Sequence, residues 1–359
     1  MSKLIEALSA FTKIMAAYHR DKLFKLNFAV TYKCNSRCKM CNIWKYTIKN
    51  PQTMKEELET DEIGQIFKGL GKLVWISLTG GEPFLRNDLV EIVQSAKDYC
   101  KIKMLNITSN GFNSELVADK TQSIAEVHVP LTFINVSLDG VAIIHDQLRG
   151  VKGAYDNAIR TLESLHKISN KHSNLLVGFE YTITPFNVGY FKALIDKLKK
   201  DSLEWLAKNS TITIYHQGNL YKNLELNTNQ QTVDDLFKSG AFSDIGNALK
   251  LTNSWSILAW IKKTYLKHAR KYIINGYSSL KCTALHHSLF LDPYGNVYPC
   301  VILQNKLGNL RDHQYDLLKL LKSENAMKLK QTVEACRKCW TPCEAYPSIL
   351  TNLVSIVTT

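Results

Sequence analysis

The segment AVTYKCNSRCKMCNIW, residues 29–44, decides how the rest of the chain is read: it sets Cys34, Cys38 and Cys41 at spacings of four and three with no acidic residue among them. The stretch leading into it, LFKLNFAVTYKC, reads as a strand that runs into a cysteine loop. Disulfides are one use for clustered cysteines, but the chain has 359 residues, 45% of them hydrophobic, and so can bury a core without staples. Its nine cysteines are an odd number and are widely spread. Residues 1–20 lack the unbroken apolar region and small-residue cleavage site of a signal peptide, and no run of about 18 apolar residues is present to span a membrane. Reduced thiols gathered in one loop hold metal or do chemistry.

Formal net charge is +13. A Lys-rich solvated surface accounts for this, as would a nucleic-acid footprint or an anionic membrane surface. Thiolate-ligated iron–sulfur clusters would cancel part of it.

Residues 3–18 put Leu4, Leu8, Phe11, Met15 and Tyr18 on one helical face. TDEIGQIFKGLGK reads as a helix with Thr60 as N-cap and Asp61 and Glu62 in its first turn. LVWISLTGGEP is a buried strand ending in glycines, NDLVEIVQSAKDYC a helix, and KMLNITSNG and INVSLDG further strands. GAYDNAIRTLESLHKI is a helix, with strands at NLLVGFEYTITP and STITIYHQG. Strands alternating with helices imply parallel βαβ units, about six of them, short of the eight of a complete barrel. Sites in such folds lie at the carboxyl ends of the strands, where TGGEP, TSNG and VSLDG fall. Beyond residue 216 the rhythm stops: a polar stretch is followed by a helical one at 254–275 and by a region holding five of the nine cysteines, with DPYGNVYPC as a turn between short strands.

A four-iron cluster held by three thiolates keeps one iron open to an outside ligand, as catalytic metals do. On the C-x3-C-x2-C loop at the end of the first strand, the chain resembles the radical S-adenosylmethionine enzymes. The resemblance implies an α/β fold built on a partial (β/α)6 TIM barrel. It implies a four-iron, four-sulfur cluster on Cys34, Cys38 and Cys41, whose fourth iron is chelated by S-adenosylmethionine. Met40 stands where the family often has an aromatic residue. TGGEP is similar to the family's methionine-amino-group motif and maps to Gly80, Gly81, Glu82 and Pro83. TSNG offers Ser109 and Asn110; VSLDG offers Ser137 and Asp139, similar to residues near the ribose; HDQLRG places Arg149 where an arginine can pair with the substrate carboxylate. The plain readings are a zinc site completed by His145, a turn at TGGEP, caps at the Ser, Asn and Asp positions, and a buried thiol at Cys100.

Cys282, Gly295 and Cys300 follow C-x12-G-x4-C, and Cys336, Cys339 and Cys343 close the group as CRKCWTPC. This resembles the SPASM and twitch extensions that carry auxiliary four-iron clusters. A full SPASM domain usually has seven such thiols; five here favour one auxiliary cluster, held by Cys282, Cys300, Cys336 and Cys339, with Cys343 spare or replacing one of them. A four-cysteine zinc knuckle is the rival reading. The expected organisation is an amphipathic helix at 1–24, the barrel at 25–216, a helical connection at 217–275, the SPASM/twitch-like domain at 276–345 and a tail at 346–359.

The resemblance implies reductive cleavage of S-adenosylmethionine to a 5′-deoxyadenosyl radical that takes a hydrogen atom from an unactivated C–H bond. The auxiliary cluster then assists oxidation or bond formation on a small-molecule, sugar-alcohol or lipid-linked substrate. Modification of a ribosomally made peptide is the alternative, and a non-enzymatic iron–sulfur or zinc nucleic-acid-binding protein the alternative of another class. A ferredoxin- or flavodoxin-type donor, a cytoplasmic location and no nucleic-acid partner are expected. In SWSILAWIKKTYLKHARKYIINGY, Ile257, Leu258, Ile261, Tyr265 and Tyr272 share an arc flanked by Trp255 and Trp260, with Lys263, Lys267, Arg270 and Lys271 opposite. That pattern fits a helix lying on the inner membrane face or one packed on a protein core.

Overall fold

The computed structural model describes residues 2–225, 230–252 and 256–352. After α1 (Ser2–His19), the first half alternates as the sequence predicts. It runs β1 (Lys25–Thr31), α2 (Ile43–Lys49), α3 (Thr60–Leu70), β2 (Trp75–Gly80), α4 (Leu89–Cys100), β3 (Met104–Ser109), α5 (Ser114–Glu126) and β4 (Leu131–Ser137). Next come α6 (Ala142–Arg149), α7 (Ala154–Ser169), β5 (Leu175–Ile183), α8 (Phe191–Lys200), α9 (Glu204–Lys208) and β6 (Ser210–Ile214). The second half holds α10 (Gln230–Leu251), α11 (Ile257–Asn275), β7 (Ser288–Leu291), β8 (Asn296–Tyr298), β9 (Gly308–Asn309), α12 (Leu317–Leu321), α13 (Glu324–Glu334) and α14 (Pro342–Thr351).

Strands β1 to β6 are all parallel and lie in sequence order, the six-unit partial barrel. Helices cover the outward face through i, i+3, i+4, i+7 stripes, such as Ile63, Ile66, Phe67 and Leu70 of α3. Under them the outward strand residues Leu105, Ile107, Ile134 and Val136 are fully buried. Cys100 belongs to this layer, its thiol donating to Phe67 O at 3.4 Å. The N-cap of α3 is Glu59 and not Thr60. The Thr60 hydroxyl donates to the Asp88 carboxylate instead, tying α3 to α4, while Glu62 accepts the Glu59 N–H at 2.8 Å.

The open edge of β1 is taken by β7, again parallel, and β8 and β9 extend the sheet as an antiparallel meander. One nine-stranded sheet thus runs β6-β5-β4-β3-β2-β1-β7-β8-β9. Helices α11 and α14 pack on each other, α11 also touching β6. The Lys25 ammonium of β1 donates to Cys343 O on α14 at 2.6 Å. Glu344 accepts from Asn27 of β1 and, at 2.5 Å, from Ser288 of β7. The two helices therefore bridge the seam between the first and sixth strands. At the amino ends of the strands, Ala7, Ala10 and Ile14 of α1 pack with Phe24, Trp75, Leu131 and Leu350 as a floor.

Tyr265 of α11 is buried, Ile257, Ile261 and Tyr272 are half-buried, and Lys263, Lys267, Arg270 and Lys271 are exposed. The helix is thus core-packed with a solvated basic face. Leu258 and Trp260, at 36% and 37% exposure, are the apolar residues of its first turns left open. Trp255 lies outside the described residues.

Candidate active site

The loop after β1 is held from three sides. Glu57 accepts the Tyr32 N–H at 2.7 Å and the Thr31 hydroxyl at 3.0 Å. The loop after β2 zips onto it, Gly81 N–H donating to Thr31 O and Glu82 N–H to Lys33 O, both at 2.8 Å. A Cβ on Gly80 would stand 2.1 Å from Thr31 O and one on Gly81 2.3 Å from Lys33 O, so these glycines are what let the two strand-end loops touch. From α6, Arg149 O and Leu148 O accept the N–H groups of Arg37 and Lys39, each at 2.9 Å.

Within that frame Cys38 is buried, its sulfur 2.8 Å from Ser36 Oγ and 3.7 Å from an Arg149 nitrogen. Burial pushes the Cys34 thiol up to about 12 and raises Cys41 further, and each is also raised by the nearby Cys38. Buried thiols of this kind stay protonated until a cation displaces the proton, which is how iron binds thiolate. Tyr221 O accepts the Asn42 N–H at 2.9 Å, and the Asn223 amide donates to Met40 O at 2.9 Å. The segment after β6, which the sequence reading left as a connection, is therefore a wall of the cysteine loop.

Of the remaining expected residues, Gly80, Gly81, Ser109, Asn110, Ser137 and Arg149 line a common cavity with Cys34, Cys38 and Cys41. Glu82 is buried in the loop seam, accepting from Ser109 Oγ, Phe84 N and Asn110 N, and Pro83 opens a buried turn behind it. Burial lifts the Glu82 carboxyl to about 7 despite those bonds. Asp139 is fully buried away from the cavity, paired with Arg149 and accepting the Thr182 N–H at 2.8 Å. Arg149 therefore spends its charge on Asp139 and Cys38, and Asp139 does not line the cavity. His145 is turned away as well, its Nδ1 accepting the Asp139 N–H.

Sequence reasoning passed over Glu180. It sits on β5 facing the cavity, accepts from Thr108 at 3.4 Å, and is lifted to about 7 chiefly by burial, with Asp139 adding to the shift. A carboxylate inside the strand LLVGFEYTI was the available signal. Its folded value lies above the unfolded range, so between about 4.5 and about 7 the folded state holds a proton that the unfolded chain has lost, and stability falls as pH rises through that window. Glu180→Gln should flatten the fall in melting temperature between about pH 5 and about pH 8; equal slopes for parent and variant would refute this.

In the second cysteine group burial raises Cys282 and Cys300 and lifts Cys339 to about 12; Glu344 adds to all three, as do nearby thiols, Cys339 on Cys282 and Cys300 and Cys336 on Cys339. Cys343 differs. It lines the cavity, and burial raises its thiol to about 11, with Lys25 lowering it and Glu344 and Glu180 raising it. Among the described residues, no three His, Cys, Asp or Glu side chains gather as they would about a single metal ion.

The cavity, about 1040 Å³, follows the barrel interior. A parallel barrel with three thiols on one strand-end loop and a separate thiol group across the seam defines an iron–sulfur radical enzyme. Comparison with known proteins agrees. Residues 28–196 match the Radical SAM superfamily model and residues 282–340 the SPASM model, an iron–sulfur cluster-binding domain. The chain belongs to the radical SAM superfamily and carries a SPASM domain, with S-adenosylmethionine and four-iron, four-sulfur clusters as its cofactors. It is 29% identical over 188 residues to an Fe-coproporphyrin III synthase of Methanosarcina barkeri, covering 52% of this chain and 43% of that protein. It is 28% identical over 168 residues to a pre-heme d1 synthase of Dinoroseobacter shibae, covering 46% and 38%. The chain thus spans less than half the length of either relative. The solved structure titled native anSMEcpe with bound AdoMet shares the fold at a TM-score of 0.57 and 14% identity, over 93% of this chain and 98% of that one. No helix among the described residues is long and apolar enough to cross a membrane.

Proposed function

We propose that this enzyme oxidises, or forms a bond at, an unactivated carbon of a substrate held in the barrel, with Cys34, Cys38 and Cys41 as the ligands of the catalytic cluster. When bound, the reduced cluster and S-adenosylmethionine supply a 5′-deoxyadenosyl radical that removes a hydrogen atom from the substrate. The Gly80–Gly81 loop, Ser109, Asn110 and Ser137 border the space for the cofactor, and Arg149 keeps a positive charge beside Cys38. Cys282, Cys300, Cys336 and Cys339 hold the auxiliary cluster. Glu180, on the same wall, can take a proton released as the substrate is oxidised.

One observation carries this reading: a single cavity is lined both by the triplet of cysteines and by Thr341, Pro342 and Cys343, next to the second cysteine group. A substrate there would lie between a radical source and an electron acceptor. A low-potential donor of ferredoxin or flavodoxin type would reduce the clusters. Anaerobically reconstituted, reduced protein should yield 5′-deoxyadenosine and methionine; none with any electron donor would end the proposal. The ligand split is tested separately. Alanine at Cys282, Cys300, Cys336 or Cys339 should lower iron from about eight to about four per chain, whereas Cys343→Ala should leave about eight. Loss of iron in Cys343→Ala would make it a ligand.

A further inference from the structure

The cavity does not end beneath the cysteine loop. It continues to the opposite end of the barrel, where the lining residues Asn170, Lys208, Ser256 and Leu258 are exposed. Strands advance about 3.3 Å per residue, so the six residues of β2, Trp75–Gly80, alone span roughly 17 Å. A cofactor at the upper rim leaves the lower bore for something else.

The bore changes character along its length. Below the rim it is polar: Ser77, Asn106, Thr108, Asn135, Glu180 and Thr213 face inward. Lower down one wall is apolar, formed by Trp75, Met104, Phe133, Leu176, Ile261 and Tyr346, while Lys25, Ser210 and Lys262 also line that end. Five of this lower set pack on the floor cluster beneath the barrel and still keep part of their surface open. Met104, Phe133, Leu176, Ile261 and Tyr346 are only half-buried, although the outward residues of the same strands are fully covered. A closed barrel fills its interior with side chains; this one keeps apolar surface open to a cavity.

We propose that the substrate is a lipid-type amphiphile. Its polar, reacting end lies in the tier of Glu180, and its apolar tail runs down the lower bore toward the mouth between the end of α7, the start of β6 and the start of α11. This rests on the reading above that the radical is generated at the cysteine-loop end. A wholly polar metabolite would leave the apolar tier unfilled. Against the apolar wall a peptide would leave the N–H and C=O groups of one edge without partners, a cost that a hydrocarbon chain does not meet. The surroundings of the mouth fit delivery from an anionic lipid surface. Leu258 and Trp260 are exposed there near Lys208 and Lys263, and the outer face of α1, at the same end of the barrel, exposes Leu4, Ile5 and Leu8.

The test uses reconstituted full-length protein with S-adenosylmethionine and straight-chain 1-alkanols of increasing length, titrated by calorimetry. One alkanol should bind per chain, and each added methylene should tighten binding about three- to fourfold until the tail fills the bore. Ala259→Trp narrows the mouth, and Leu258→Glu puts a charge at an exposed position on its rim. Each should weaken binding of the longest alkanol at least tenfold with an unchanged melting temperature. Affinity that does not depend on chain length would overturn the proposal. So would binding that Ala259→Trp leaves intact, which would place the alkanol on the outer faces of α1 and α11, or a bore that takes a hydrophobic peptide and no alkanol. Binding is read without turnover, so failure to form 5′-deoxyadenosine would count against the radical reading alone.

Discussion

Cys38→Ala should reduce 5′-deoxyadenosine formation to the level of a protein-free control. Cys38 is 8% exposed and is gripped by Ser36 Oγ and an Arg149 nitrogen, so no other side chain can move in to replace it as an iron ligand. Changes to outer-sphere partners of a metal site typically cost about 10–100-fold; loss of a ligand should exceed that. The triple replacement of Cys34, Cys38 and Cys41 by alanine should keep about four of about eight irons, because the second cysteine group lies across the seam. Iron analysis and chromatography of the nucleoside product check both halves. A Cys38→Ala protein with near-parental product would remove the assigned ligand.

The second large effect is on stability. Arg149→Ala should lower the melting temperature by about 5–10 °C. Asp139 is fully buried, and without the guanidinium it keeps the Thr182 N–H as its hydrogen-bond donor. Removing one member of a buried ion pair costs about 3–5 kcal/mol. Lysine should not rescue it, since one ammonium cannot reach both Asp139 and Cys38 as the two ends of the guanidinium do. Calorimetry of the Ala and Lys variants decides this, and a melting temperature within a degree or so of the parent would contradict it.

What could be read from the residues alone was local. Alternating apolar segments gave the six parallel strands, because each strand and its covering helix are written in consecutive residues. The cysteine loop was equally legible, since its ligand spacing lies within one loop. Pairings between distant segments were not. Nothing in SLFL says that it will add to the free edge of KLNFAVT, 257 residues or so away, and nothing in CRKCWTPC says that Cys343 lines the barrel cavity. Glu82 and Asp139 lie at the strand ends where their motifs place them, but only the packed structure reveals that both carboxylates are consumed by neighbouring segments, Glu82 by the β3 end and Asp139 by α6 and β5. Glu180 was missed for the opposite reason: it belongs to no motif, and its importance comes from the cavity it faces.

The addition of β7 to β1 has a consequence for how the molecule can be divided. Cutting the chain after α11 would strip β1 of its partner from Lys25 to Phe28, baring a row of backbone donors and acceptors on an otherwise buried strand. The same cut would remove Glu344, which accepts from Asn27, and the carbonyl that accepts from the buried Lys25 ammonium. The cysteine-rich region is thus not an appendage that could be exchanged or deleted while the barrel survives. A truncated barrel would present a sticky ribbon to its neighbours and be recovered from cells as aggregate.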